Sequence, residues 1–118
     1  MPEFYYWKTF EYDSLADGGS WSDDWDVDED LTIKRIYLKN KNGSEFTSSN
    51  FYLKISEDVF TRSIVPAGIL GSRVDITPEV NIPVKAKERI SWTFKNNEGG
   101  AVSLFLVFEC ETAKSRLA

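Results

Sequence analysis

From Phe4 to Cys110 polar and apolar side chains trade places at every second residue, and no 3.6-residue period is sustained over three turns. A chain written this way buries one face of a strand and leaves the other to its neighbours or to water, because successive side chains on a strand point to opposite faces. Phe4, Tyr6, Phe10 and Tyr12 share one parity with Lys8, while Tyr5, Trp7 and Thr9 share the other. After a turn cluster at Asp13 to Ser20, Trp21, Asp23, Trp25 and Val27 alternate with Ser22, Asp24, Asp26 and Asp28. Leu31 and Ile33 fall on one parity and Ile36 and Leu38 on the other. One extra residue near Lys34-Arg35, a β-bulge, accounts for that phase change.

Further along, Asn40 to Ser44 is a turn built on Asn42-Gly43. Phe51, Leu53 and Ile55 then read as the first strand of a hairpin whose second runs from Val59 to Val65. Pro66-Ala67-Gly68 stops it, and a weak strand around Arg73 to Ile76 ends at Pro78. Val80, Ile82, Val84 and Ala86 share a face. Pro83, which cannot donate to a ladder, marks that strand as an edge. Ile90, Trp92 and Phe94 follow, and then Val102, Leu104, Leu106, Phe108 and Cys110. Phe105 and Val107 on the opposite parity place the last strand in the middle of its sheet. The expected fold is all-β: an antiparallel β-sandwich, jelly roll or related Greek key, of eight or nine strands. Its 118 residues suffice for one hydrophobic core without staples. The expected parts of this single domain are an acidic, aromatic strand or arm over 1–30, a sandwich body over 31–111 and a polar tail over 112–118.

Composition narrows the chemistry. The chain holds no histidine, so Ser-His-Asp and Cys-His nucleophile systems and His-ligated zinc are excluded. Cys110 is the only cysteine, lies in an apolar run with no basic neighbour, and reads as core. Nineteen acidic residues supply many accidental neighbours, and none is singled out as a pair for glycoside hydrolysis. No phosphate-cradling glycine motif occurs. The expectation is a protein that is not an enzyme and needs no cofactor.

Charge divides at Leu31. Residues 1–30 hold ten acids against Lys8, a net of −9, and the remainder carries nine acids and thirteen bases, a net of +4. An acidic total of −5 argues against nucleic acid as partner, since phosphate binding relies on Lys and Arg displacing counterions. Opposed signs instead favour one copy's acidic segment against another copy's basic body. A solvated acidic loop over its own domain is the alternative. Asp24, Asp26, Asp28 and Asp30 repeat at every second residue and on a strand would share a face. They are candidates for a cation such as Ca²⁺, for a partner-facing segment, or for a solvated loop. An EF-hand is excluded because Glu29 and Arg35 stand where it needs Gly and Glu.

Trp21 and Trp25 share a parity in a polar segment, so they either cap the core, anchor a protein interface or stack on a glycan. Phe4, Tyr5, Tyr6 and Trp7 place apolar rings on both faces of one strand. Such a strand is central in a sheet or covered by another chain, and homo-oligomerisation is expected. Met1-Pro2-Glu3-Phe4 has no signal-peptide character and Leu104 to Phe108 is far too short to span a bilayer, so a cytoplasmic product without membrane insertion is expected.

The segment from Leu31 to Glu111 also resembles a known group of proteins. Carrying the resemblance are Ile33-Lys34-Arg35-Ile36-Tyr37-Leu38, the stop at Val65-Pro66-Ala67-Gly68, Ile90-Ser91-Trp92-Thr93-Phe94, Asn97, and the strand from Val102 to Cys110. With these it is similar to the small single jelly-roll structural proteins found in virions of tailless icosahedral viruses and some phages. The resemblance implies a capsid, penton, spike-base or decoration subunit, located in the virion, that packs by sheet edges and arms against its own copies and other virion proteins. The alternative reading is a carbohydrate-binding sandwich that uses Trp21, Trp25 and a nearby Tyr, with or without Ca²⁺.

Overall fold

The computed structural model describes residues 4–43, 46–55, 58–59, 65–66 and 79–112. Within them the chain runs through β1 (Phe4–Leu15), β2 (Ser20–Asp26), β3 (Leu31–Asn40), β4 (Asn50–Ile55), β5 (Asp58–Val59), β6 (Val65–Pro66), β7 (Ile82–Val84), β8 (Arg89–Lys95) and β9 (Val102–Thr112). One sheet has the order β1-β9-β3-β7. The other has the order β2-β8-β4-β5, with β6 also on β4, and every pairing is antiparallel. β1 pairs with β9, β2 with β8, β3 with β7, and β4 with β5 and β6. One long antiparallel hairpin rolled up on itself produces this order, and it is the jelly-roll arrangement of two packed sheets. Seven strands have three residues or more, against the eight or nine expected. Of the expected strand from Val59 to Val65 only the two ends are described, and the segment around Arg73 to Ile76 lies outside the described residues, as does the tail beyond Thr112. Among the described residues no helix is long and apolar enough to cross a membrane.

Alternation is met on β3, β4, β8 and β9. β9 buries Val102, Leu104, Leu106, Phe108 and Cys110 with half-buried residues between them, and β8 buries Ile90, Trp92 and Phe94 against them. β9 is central, flanked by β1 and β3. The register of β3 slips between Ile33 and Arg35, so Ile33 and Ile36 both reach the core and Arg35 and Tyr37 both turn outward. Pro83 sits exposed on β7, an edge strand, where the missing N–H interrupts no inner ladder.

The first thirty residues are not a detached arm in their described part. β1 and β2 are edge strands of the two sheets, and their inward rings close the sandwich along one side. Phe10 lies 4.6 Å from Trp92 and 6.1 Å from Phe108, Trp21 lies 5.6 Å from Trp92, and Trp25 lies 5.8 Å from Phe108. The turn between these strands needs its glycines. Gly18 stands at φ +77°, and a Cβ on Gly19 would come within 2.9 Å of the Ala16 carbonyl oxygen.

A polar knot ties the loops at that end of the sandwich. Asn96, wholly buried, donates from Nδ2 to the Leu15 carbonyl (3.0 Å) and the Gly100 carbonyl (2.8 Å) and accepts the Glu98 N–H on Oδ1 (3.0 Å). The Glu98 carboxylate in turn accepts from Thr47 N–H, Thr47 Oγ1, Ser48 N–H and Ser49 Oγ at 2.7 to 3.1 Å. Partial burial alone would raise the Glu98 pKa, but these donors outweigh it and hold the carboxyl down at about 2. A carboxyl depressed in the fold stabilises it fully above its ordinary pKa, and that contribution disappears as pH falls through the folded value. Stability should therefore fall between about pH 4.5 and pH 2. Discounted for partial exposure, the share belonging to Glu98 is about 1.5 kcal/mol. Acid titration of urea unfolding should show Glu98→Gln already less stable at neutral pH and with a flatter decline over this window. An unchanged slope would separate the loss from Glu98.

Candidate functional site

The most exposed large apolar side chains among the described residues are Trp7 at 71% and Tyr5 at 63%, two residues apart on the outward face of β1. Alternation places them there. Tyr6 and Phe10 pack inward against the core, so Tyr5, Trp7, Thr9 and Glu11 must look out. Across the ladder Trp7 stands opposite Glu109 and Thr9 opposite Val107, and on the next strand Glu109 and Val107 face Arg35 and Tyr37. The outer face of this sheet is thus an aromatic and aliphatic patch of Tyr5, Trp7, Val107 and Phe105, bounded by Tyr37 and two charge clusters.

Each cluster sets one cation between two carboxylates. Arg35 donates from Nη1 to Glu109 Oε2 (3.1 Å) and from Nη2 to Glu79 Oε1 (3.2 Å), and Tyr37 donates its hydroxyl to the same Glu109 oxygen (3.3 Å). Lys41 reaches Asp13 at 2.6 Å and Glu11 at 3.1 Å while lying 4.6 Å from the Phe105 ring centroid. Hydrogen bonding to Glu109 raises the Arg35 pKa, and hydrogen bonding to Asp13 raises that of Lys41. Burial, followed by the Glu109 charge, pushes the Tyr37 hydroxyl up. Each shift reinforces the charge state the group already has at neutral pH, the reverse of the tuning that a proton-transfer residue needs.

Lys8 is the exception on β1. It is a charged residue on the inward parity, and it stays exposed because β1 is an edge. Its Nζ lies 5.5 Å from the Phe10 ring centroid and 5.8 Å from that of Trp25, at the rim between β1 and β2.

The remaining sequence candidates separate. Phe4 opens β1, and Tyr6 is half-buried against the core. Trp21, 5% exposed, and Trp25, partly buried, are core rings and not surface platforms, a correction to the interface and glycan readings of this pair. The polar parity Ser22, Asp24, Asp26 takes the outward face, which leaves the tryptophans inside. The four alternating aspartates do not gather either, because β2 ends at Asp26. Arg89 donates from Nε to Asp26 (2.8 Å), holding that carboxyl below its ordinary range, and reaches Asp24 at 3.9 Å. Asp30 accepts the Ala86 N–H at 2.9 Å, and Asp28 lies beyond the strand. Among the described residues no cluster of three or more acidic or thiol groups could hold a metal ion.

Two surface grooves of about 290 Å³ each lie elsewhere. One runs beside β7 from Asp30 to Thr112. The other crosses the outer face of the second sheet past Ser22, Asp24, Tyr52, Lys54, Ser91 and Thr93. Neither includes the exposed rings of β1. Arg35 and Tyr37, across β9 from Trp7 and Thr9, are not among the site residues the sequence singles out, although the phase change at Lys34-Arg35 marks the turn that sends them outward. Compared with protein-family models, curated proteins and solved structures, the chain matches none.

Proposed function

We propose that this chain is a non-enzymatic assembly subunit, a single jelly roll of the virion structural type, that associates with its own copies through the edge strand β1. The observation that carries this reading is the pair Tyr5 and Trp7, the most exposed large apolar side chains described, side by side on an edge strand of twelve residues. Edge strands are ordinarily kept short, charged or covered, and a long aromatic one is a site for another chain. The jelly-roll order agrees with the resemblance of residues 31–111 to virion proteins, although the same fold also serves lectins and cupins, so the surface and not the fold bears the argument. The lack of histidine and the reinforced charge states of Arg35, Tyr37 and Lys41 support a role in contact and not in catalysis.

The test is the double variant Tyr5→Ser/Trp7→Ser in the full chain. Light-scattering chromatography should give a 13.5 kDa monomer for the variant and a multiple of that mass for the parent. Urea unfolding should put the variant's own stability within about 0.5 kcal/mol of the parent, measured where both are dissociated, since these rings are on the surface. Equal masses for the two proteins would refute the assignment of the contact to these residues.

A further inference from the structure

We infer that the partner of β1 is β1 of a second copy, paired antiparallel about a two-fold axis that passes through Trp7. This rests on the assembly reading above and adds the register to it. Among the described residues β1 pairs only with β9 and no strand lies on its other edge. An isologous contact requires a surface complementary to itself. Antiparallel neighbours must also put side chains of like parity on the same face, so a β1–β1 pair is centred on a residue, and few centres are available.

Charge removes several of them. A centre on Lys8 sets Lys8 directly against Lys8, a centre on Glu11 sets Glu11 against Glu11, and a centre on Tyr12 sets Glu11 against Asp13. The regular ladder of β1 ends at Tyr12, where the register breaks before Leu15 and Ser14 takes φ +56°, so centres near that end have little strand to pair. A centre on Thr9 is free of like charges but sets Trp7 against Glu11, an exposed ring against a carboxylate that Lys41 already holds. A centre on Trp7 pairs residues 4–10 of each copy. It places Trp7 against Trp7 and Tyr5 against Thr9 and joins seven residues of each copy, whereas a centre on Tyr6 joins only 4–8 and a centre on Phe10 sets Trp7 against Asp13. Lys8 then stands opposite Tyr6 at the rim. Lys8, with its Nζ 5.8 Å from the Trp25 ring, stays at the rim beside β2, whose Asp24 and Asp26 are already engaged by Arg89. Lys8 thus filters registers without closing the edge.

Cysteine pairing reads the register directly. Opposed residues of an antiparallel pair have Cα atoms roughly 4.5–5.5 Å apart, within reach of a disulfide, whereas residues two places out of register do not meet. Full-length Tyr5→Cys and Thr9→Cys variants, which keep Trp7, are oxidised separately and as an equal mixture and read on non-reducing gels. Cys110 is buried, and the parent chain serves as control. The mixture should yield on the order of tenfold more disulfide-linked dimer than either variant alone. Thr9→Cys linking to itself as well as the mixture does would move the axis to Thr9 and overturn the register, and Tyr5→Cys linking to itself would overturn it likewise. If no combination links in a protein whose mass is a multiple of 13.5 kDa, the axis through Trp7 fails and the assembly reading stands. If no combination links and the mass is 13.5 kDa, both fail.

Discussion

Replacing Trp92 with alanine should destabilise the fold by about 4 kcal/mol, a large share of the roughly 5–15 kcal/mol available to a domain of this size. Its ring is 1% exposed and is the piece around which the closing side of the sandwich is assembled. Phe10 from β1 lies 4.6 Å away, Trp21 from β2 5.6 Å, and Phe108 from β9 5.8 Å. Truncation leaves a cavity between two sheets that are tied by hydrogen bonds to their own neighbours and cannot collapse onto it. The indole N–H contributes little, because Nε1 is buried without a hydrogen-bond partner. Trp92→Phe should accordingly cost only about 1–2 kcal/mol, since it keeps most of the ring contact and removes an unsatisfied donor. Trp7→Ala, the same loss of a ring at a surface position, should change the monomer's stability by no more than about 0.5 kcal/mol. Urea unfolding monitored by circular dichroism ranks the three. A Trp92→Ala protein as stable as Trp7→Ala would contradict the placement of this ring at the centre of the core.

Removing Asn96 should destabilise the fold by about 3 kcal/mol, although almost no apolar surface is involved. Its amide satisfies the Leu15 and Gly100 carbonyls together while accepting the Glu98 N–H, and its backbone exchanges hydrogen bonds with Gly18 (2.7 Å) and Gly19 (2.9 Å). Asn96→Ala leaves those buried groups unmatched. Asn96→Asp tests the polarity of the site, since it has the same shape but turns an acceptor toward two carbonyls, and it should be no better tolerated at neutral pH. If the aspartate variant matched the parent in unfolding, the hydrogen bonds assigned to Nδ2 would be wrong.

The strands were legible because alternation is local. Each parity run needs only its own residues, and the bulge near Arg35 could be read from the phase of Ile33 against Ile36. Which face of a run turns inward is a different matter. Trp21 and Trp25 share a face, and Asp23 on the same parity leaves open in the sequence whether that face turns inward; in the fold Ser22, Asp24 and Asp26 take the outward side. Only an edge strand can carry an exposed aspartate on its inward parity, and the edge position of β2 follows from pairing with β8, some seventy residues away. Lys8 misleads in the same way on β1. The knot at Asn96 and Glu98 was hidden for a related reason. In sequence these are turn residues, and their partners at Leu15 and Thr47 to Ser49 meet them only when the hairpin has rolled up.

For the candidate site, the aromatic strand Phe4 to Phe10 was legible as one with rings on both faces. It is neither central in a sheet nor covered by any described strand of its own chain. The proposed self-association through β1 rests on its edge position among the described residues and on the exposure of Tyr5 and Trp7. The direct measurement is the mass of the full-length parent protein by light scattering over a rising series of concentrations. The account predicts a mass that climbs to a whole multiple of 13.5 kDa. A constant 13.5 kDa up to the highest concentration reached would contradict it.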